Sequence, residues 1–335
     1  MAKICSKCSE DKQDSEFQKC GNKLRSMCKP CMKVWSKSYE KTEKGFLMRA
    51  YRNLVSRCTG VQSNKRHLYQ GMQYLSREEF YALSEESTDF KGLFSAWEVS
   101  GYDQKLAPSV DRIWPMFGYI KDNIRWVTHS VNSSRATTGF HTEHESIHWT
   151  SDLHLGHKNI LKYNRQEFSS VEEMHEHLVE QWNLVVGEQD LVFNLGDVCL
   201  GNLETAADVL GRLNGFIYTI FANHDSEKSF DLFNTISQKQ IYSFDPLKEI
   251  NVDRKLIAMC HFPLVCWNKS EHGSLHVFGH AHGSIEGVGK SMDVGLDSAK
   301  KLINEFRPFS HKEVVEILKN KEVFARRHAD TDNDL

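Results

Sequence analysis

Five short blocks in the second half of the chain carry side chains that can hold metal ions. They are Ser151-Asp152-Leu153-His154-Leu155-Gly156-His157, Leu195-Gly196-Asp197, Ala222-Asn223-His224-Asp225, Cys260-His261-Phe262-Pro263 and Gly279-His280-Ala281-His282-Gly283. Each places Asp, Asn or His directly after a run rich in β-branched and apolar residues. Asp152 and His154 are two apart, so at an extended strand end both point to one face and can bind one ion together. The carboxylate of Asp197 has two oxygens and can bridge two ions. Asn223 offers a neutral carbonyl oxygen. His261, His280 and His282 offer ring nitrogens, and the i, i+2 spacing of the last pair again allows one face. This mixed nitrogen and oxygen set suits Mn, Fe, Ni or Zn and does not suit Ca(II). Two such ions, about 3.5–4 Å apart, can hold phosphoryl oxygens and bring the pKa of water towards ~7. The expected chemistry is metal-dependent cleavage of a phosphoester. His224 follows Asn223 and cannot share its direction. It is expected to face the substrate, protonating the leaving oxygen or stabilising developing charge, with Asp225 able to orient it. His157 lies beside the first block, outside the ligand set, and is a candidate substrate contact.

These side chains need strand ends to position them. Strands are expected over Ile147–Thr150, Leu191–Leu195, Ile217–Phe221, Leu256–Cys260, Leu275–Phe278 and Ser291–Val294. Helices fall between them. One is opened by Ser170 with Glu173 at N3, one spans Leu203–Leu213, and one follows Ser310 through Leu318. Short apolar strands alternating with helices predict an α/β fold with the chemistry on loops after strand C-termini.

Residues 146–320 resemble the calcineurin-like metallophosphoesterase superfamily, in its small prokaryotic and phage members. Trp149 to Ile160 and Phe168 to Met174, together with the five blocks, carry the resemblance. It implies a β-sandwich flanked by helices. It also implies one ion held by Asp152, His154, Asp197 and His282, and a second by Asp197, Asn223, His261 and His280. Ala222 stands where the family usually has Gly, and a residue with a Cβ is expected to suit that turn. The Gly-Asp-x-Val-Asp-Arg-Gly signature of the protein Ser/Thr phosphatases is replaced by Gly196-Asp-Val-Cys-Leu-Gly201, which argues against a phosphoprotein substrate.

The first half of the chain reads differently. Cys5-x2-Cys8 and Cys28-x2-Cys31 form two knuckles with nineteen residues between them, the spacing of a four-thiolate structural zinc. Cys20, between the pairs, is a decoy or a substitute. Such ribbons with a Glu-Phe after the first knuckle (Glu16-Phe17) resemble those at the front of phage nuclease-like proteins. Residues 34–60 are basic and almost free of breakers, and read as a helical arm leading away from the ribbon. Ser76-Arg-Glu-Glu79 is a capping box that opens another helix.

Residues 108–135 resemble the ββα-metal fold of HNH-type phage endonucleases. Asp111, Asn123 and Asn132 match that pattern. Arg112 stands in place of the general-base His, and Trp114 in place of a second Asp. The preferred reading is a nucleic-acid-binding relic of a nuclease. A live nuclease using His129, or a plain α/β domain with Tyr119 and Trp126 as core, are the alternatives.

The domain order expected is therefore a zinc ribbon (1–33), a basic arm (34–60), an HNH-like ββα domain (61–138), a linker (139–146) and a phosphoesterase domain (147–325). The chain end from His328 is expected to fray. Residues 1–140 carry 23 Lys+Arg against 15 Asp+Glu, a net of +8, and the remainder carries 19 against 30, a net of −11. A basic front half favours a polyanionic partner, DNA or RNA, although a merely solvated surface would read the same. The nine cysteines do not form a disulfide framework. No apolar run has the length of a membrane span and no signal-peptide core precedes the ribbon, so a cytoplasmic location is expected, the host's if the chain is phage-encoded. Hydrolysis of small or cyclic nucleotides is the alternative to a nucleic-acid substrate. The oligomeric state is not legible.

Overall fold

The computed structural model of the protein describes residues 2–135, 140, 146–237, 242–244 and 246–324. The chain is mixed α/β and divides into two compact units, Met1–Arg135 and Ala136–Leu335. Most of the expected linker (139 and 141–145) and the end from residue 325 lie outside the described residues.

Unit one opens with two small antiparallel ribbons. Strand β1 (Ala2–Ile4) pairs with β2 (Asp11–Gln13), and β3 (Phe17–Cys20) pairs with β4 (Lys23–Cys28). Cys5, Phe17 and Cys28 form a miniature core beneath them. Helix α1 (Lys29–Tyr39) starts directly after Cys28 with Pro30 in its first turn, where a missing N–H costs nothing. Helix α2 (Glu43–Cys58) restarts after Thr42, whose hydroxyl accepts the Gly45 N–H.

The basic stretch 34–60 is thus not an arm leading away from the ribbon. It is two helices, and α2 is a core element. Phe46, Leu47, Leu54 and Cys58 recur on one helical face between the cationic residues and are buried. The ring of Phe46 lies 5.2 Å from that of Trp97 and 6.1 Å from that of Phe90, both on α5 (Thr88–Val99). Between α2 and α5 come the short α3 (Arg66–Tyr69) and α4 (Arg77–Glu86), which Ser76 and Glu79 cap reciprocally as the sequence predicts. Strand β5 (Pro108–Arg112) then pairs antiparallel with β6 (Ile124–Thr128), and α6 (His129–Arg135) follows. Trp126 and Tyr119 are buried in this core.

Unit two holds two sheets. The first has the order β10-β9-β8-β7-β15, with β7 (Ile147–Thr150), β8 (Leu191–Asn194), β9 (Phe216–Ile220) and β10 (Tyr242–Phe244) parallel and β15 (Phe309–Ser310) antiparallel at one edge. The second has the order β11-β12-β13-β14. Here β11 (Leu247–Val252) and β12 (Lys255–Cys260) form a hairpin, and β13 (Leu275–Phe278) and β14 (Ser291–Asp293) continue in parallel. Every residue of β7, β8 and β13 is buried, as strands covered on both faces must be.

Helices α7 (Val171–Val185), α8 (Leu203–Arg212), α9 (Glu227–Ser237), α10 (Leu296–Ile303) and α11 (His311–Lys319) make the connections. In α7, Met174, Leu178 and Trp182 repeat every four residues and are fully buried, packing with Val192, Leu210 and Ile217. The Ser170 hydroxyl accepts the Glu173 N–H, and Ser310 and Glu313 form a complete capping box for α11.

Candidate metal centre

The five blocks lie immediately after β7, β8, β9, β12 and β13, so the loops of both sheets contribute. Two clusters form there. Asp152, His154 and His282 place one ligand atom each within 4.8 Å of one another, and Asp197, His261 and His280 do the same. Asp197 stands between them. Its Oδ2 is 3.9 Å from His154 Nε2 in one cluster and 3.6 Å from His261 Nε2 in the other.

The backbone reaches this arrangement by an unexpected route. Asp152 (φ 56°), His154 (φ 50°), Asp197 (φ 52°), His280 (φ 66°) and His282 (φ 47°) are all left-handed. The pleat of an extended strand therefore does not align Asp152 with His154. Each strand ends first, and alternate left-handed residues turn the side chains inwards. His280 and His282, two apart, go to different clusters. Side chains in this region cost energy, and such residues gather at functional sites. Two glycines make room. A Cβ on Gly279 would sit 2.0 Å from Ser151 Oγ and 2.6 Å from Asp152 Oδ2. Gly196 (φ +101°) would meet the Ala222 Cβ at 2.3 Å. Ala222 itself is not left-handed, so it tolerates its Cβ.

The donors fit divalent cations. Both ring nitrogens of His154, and Nε2 of His261, are buried and make no hydrogen bond. Leaving such groups unpaired in a protein interior is costly unless something coordinates them. Tautomers are set from behind. His261 Nδ1 lies 2.8 Å from the Leu195 carbonyl, which can only accept, so Nδ1 carries the proton and Nε2 presents its lone pair. His282 Nδ1 donates to Asp297 Oδ2 at 2.6 Å, with the same result. Burial pushes Asp152 upwards, but the imidazole of His154, 3.8 Å away, and the charges of His282 and His261 bring its carboxyl below the ordinary value.

Several supporting residues carry no motif. Asp297 also takes a two-pronged bond from the fully buried Arg165, at 3.1 and 3.2 Å. Burial acts to raise Asp297, but Arg165 and His282 outweigh it and hold it at about 2. Arg165 also donates to the carbonyls of Asp152 and Leu153, pinning the first ligand loop. Asp293 accepts the N–H groups of Gly283 and Gly295. Buried His276 donates from Nδ1 to the Ala258 carbonyl and accepts the Leu264 N–H at Nε2, fixing the loop that carries His261. Burial lowers its pKa to about 4.

The third block departs from expectation at Asp225. Its carboxylate does not orient His224. It accepts the backbone N–H groups of Asp197, Val198 and Ala222 at 3.0–3.1 Å, tying the ends of β8 and β9 together. Burial raises its pKa. Asn223 and His224 are exposed in the turn that follows β9, and the His224 N–H reaches Asp197 Oδ1 at 3.3 Å. His157 lies with its ring 5.6 Å from that of His154. Burial, then the charges of His154 and Arg165, hold it below its ordinary pKa.

In unit one, Cys5, Cys8, Cys28 and Cys31 converge, and Cys20 stays exposed outside the group. The Cys28 N–H, 3.2 Å from Cys5 Sγ, is the main cause of a Cys5 pKa lowered to about 6. The hydrogen bond that the Cys31 thiol donates to Cys28, together with burial, pushes Cys31 up to about 12. Four thiols this close cannot all ionise without a cation, and the set fits one tetrahedral ion.

The HNH-like residues assemble no comparable site. Asp111 and Arg112 end β5, Asn123 precedes β6 and Asn132 lies on α6, in the expected order. Their side chains, however, are spent on the fold. Arg125 donates to Asp111 at 3.0 Å. Asn123, fully buried, bonds the backbone of Trp114 and Gly118. Asn132 donates to Ser109 and the Val110 carbonyl, and Arg112 to Met72 Sδ and the Phe117 carbonyl. Asp111 belongs to no metal-binding cluster among the described residues.

No helix among the described residues is long and apolar enough to cross a membrane. No family model matches the chain. Over 81 residues it is 44% identical to an uncharacterized protein of Methanocaldococcus jannaschii, covering 24% of this chain and 46% of that protein. The match therefore spans less than half the length of that relative. Over 188 residues the chain is 26% identical to the gene 66 protein of Mycobacterium phage L5, covering 47% of this chain and 88% of the phage protein. Among solved structures it is similar to a protein of unknown function from Aquifex aeolicus (19% identity, TM-score 0.40, 52% of this chain and 99% of that one). It is also similar to a structure described as a novel archaeal phosphodiesterase (17% identity, TM-score 0.27, 45% of this chain and 83% of that one).

Proposed function

We propose that unit two is a calcineurin-like, dinuclear metal-dependent phosphoesterase that hydrolyses phosphodiester bonds of nucleic acid, and that unit one docks that substrate. The observation that carries the reading is Asp197, whose one carboxylate oxygen faces an imidazole of each cluster at 3.6 and 3.9 Å. Asp152, His154, Asp197 and His282 would hold one ion, and Asp197, Asn223, His261 and His280 the other. When bound, ions of the Mn, Fe, Ni or Zn class act as Lewis acids on phosphoryl oxygens and make water acidic enough to react near neutral pH. The protein's own part is positioning. Arg165, Asp225, Asp293 and Asp297 hold the ligand loops before any substrate arrives, so little reorganisation is left for the reaction. His224, exposed beside Asp197, protonates the leaving oxygen. His157, kept neutral, borders the site on the His154 side. The four cysteines of the ribbon hold one structural zinc, and the net +8 of unit one supplies attraction for a polyanion.

The test is to supply the intact protein with Mn(II) and a panel of single- and double-stranded DNA, RNA, cyclic nucleotides and phosphomonoesters. Metal-dependent diester cleavage is expected, lost in Asp197→Ala and reduced about 10²–10⁴-fold in His224→Ala. Undiminished turnover by Asp197→Ala would sink the proposal. Turnover of small nucleotides alone would keep the enzyme and remove the nucleic acid.

A further inference from the structure

Unit one contains a pocket of about 330 Å³, within the ~300–1,000 Å³ common for ligand sites. Arg49, Asn53 and Arg57 line it from one face of α2, at i, i+4 and i+8. Gln104, Ser109 and His129 line the other side, and no carboxylate lines it among the described residues.

The two arginines differ in state. Arg49 is paired with Glu40 at 3.0 Å. Arg57 has no acidic partner among the described residues. Its one hydrogen bond there runs to the Tyr119 hydroxyl at 3.2 Å, and its Nε is buried and unbonded. A second cation lies close. Arg57 and Arg112 stand 5.9 and 4.7 Å from the centre of the same Tyr69 ring. A half-buried guanidinium without a counter-ion, near another, is unfavourable in isolation. A planar fork of N–H donors, a neighbouring imidazole and neutral amide and hydroxyl groups are what a phosphate group takes.

We propose that this pocket binds a phosphate group, with Arg57 as its principal anchor. The function proposed above matters here only for the source of that phosphate, a nucleic-acid backbone or a free nucleotide. The residues of the HNH-like pattern are tied into the fold, so this pocket, on the α2 side of β5, is where unit one meets its anion.

The experiment uses the full chain and its Arg57→Gln and Arg57→Lys variants, without added divalent metal. Binding of a labelled oligonucleotide and of AMP is measured across a salt series, and thermal melts are recorded with and without inorganic phosphate. For Arg57→Gln we expect about tenfold weaker binding of at least one ligand and, for the oligonucleotide, a salt slope lower by about one. Phosphate should raise the melting temperature of the parent protein and not that of Arg57→Gln. Arg57→Lys, which keeps the charge, should recover the salt slope. Loss confined to AMP identifies a nucleotide site, and loss of oligonucleotide binding identifies a backbone site. Both support the pocket. Arg57→Gln matching the parent for both ligands and for phosphate overturns it. Hydrolysis in the Mn(II) panel is read separately, so failure of the enzyme proposal leaves this result standing.

Discussion

Asp297 Oδ2 meets His282 Nδ1 at 2.6 Å, while both oxygens of Asp297 also bond Arg165. One carboxylate thus fixes the tautomer of a candidate ligand and neutralises the cation that pins the loop of another. Asp297→Asn keeps the shape and removes the charge. It should lower divalent-metal affinity about 10–100-fold. A metal titration followed by calorimetry checks this, and unchanged affinity would leave Asp297 a purely structural residue.

His276 gives a pH signature. In the folded chain its pKa is about 4, against about 6.5 when unfolded. Between those values the unfolded chain binds a proton that the native one refuses. Stability therefore falls as pH drops below about 6.5, by about 3 kcal/mol in total, and the loss is complete near pH 4. A His276→Gln variant should be less stable at pH 7.5 but should lack this component. Urea denaturation of both proteins at pH 7.5, 5.5 and 4 decides it, since parallel declines would show that His276 is not responsible.

The four-cysteine cluster should hold one zinc per chain independently of the other centre. Cys28→Ser removes a thiol from a miniature core that otherwise has only Cys5 and Phe17 fully enclosed. Elemental analysis should find the structural zinc gone, and limited proteolysis should find the ribbon unfolded, as is general for small metal-held domains. Hydrolysis of a small phosphodiester should survive. A zinc content per chain equal to that of the parent protein would contradict the assignment.

The blocks themselves were legible because apolar runs ending in Asp, Asn or His announce strand ends, and all five do follow strands. Ser76 and Ser170 were legible as caps because the partner Glu stands three residues on, and Ser310 as the start of the last helix. Arg165 and Asp297 were not, since 132 residues separate them and nothing local marks either one. Asp225 looked like a partner for His224 because it is adjacent in sequence, whereas its oxygens turn back to three backbone N–H groups. The helical character of 34–60 was legible in its lack of breakers, whereas the stripe of Phe46, Leu47 and Leu54 that makes α2 a core element lies hidden between its charges. In the ββα segment, order in sequence agreed with the fold, but a side chain's partners are decided in three dimensions. Asn123 illustrates this, with every contact it makes turned inwards.

The left-handed backbone at five candidate ligand positions has an evolutionary consequence. Each such residue costs of order 1 kcal/mol, less for Asp than for bulkier side chains, and glycine there would relieve it. A selection for heat resistance alone would thus find rewards at Asp152, His154, Asp197, His280 and His282, the positions where accepting them erases the centre. Thermostability and the proposed centre would draw on the same five torsions, so a hardier descendant that keeps that centre must gain its stability elsewhere in the chain.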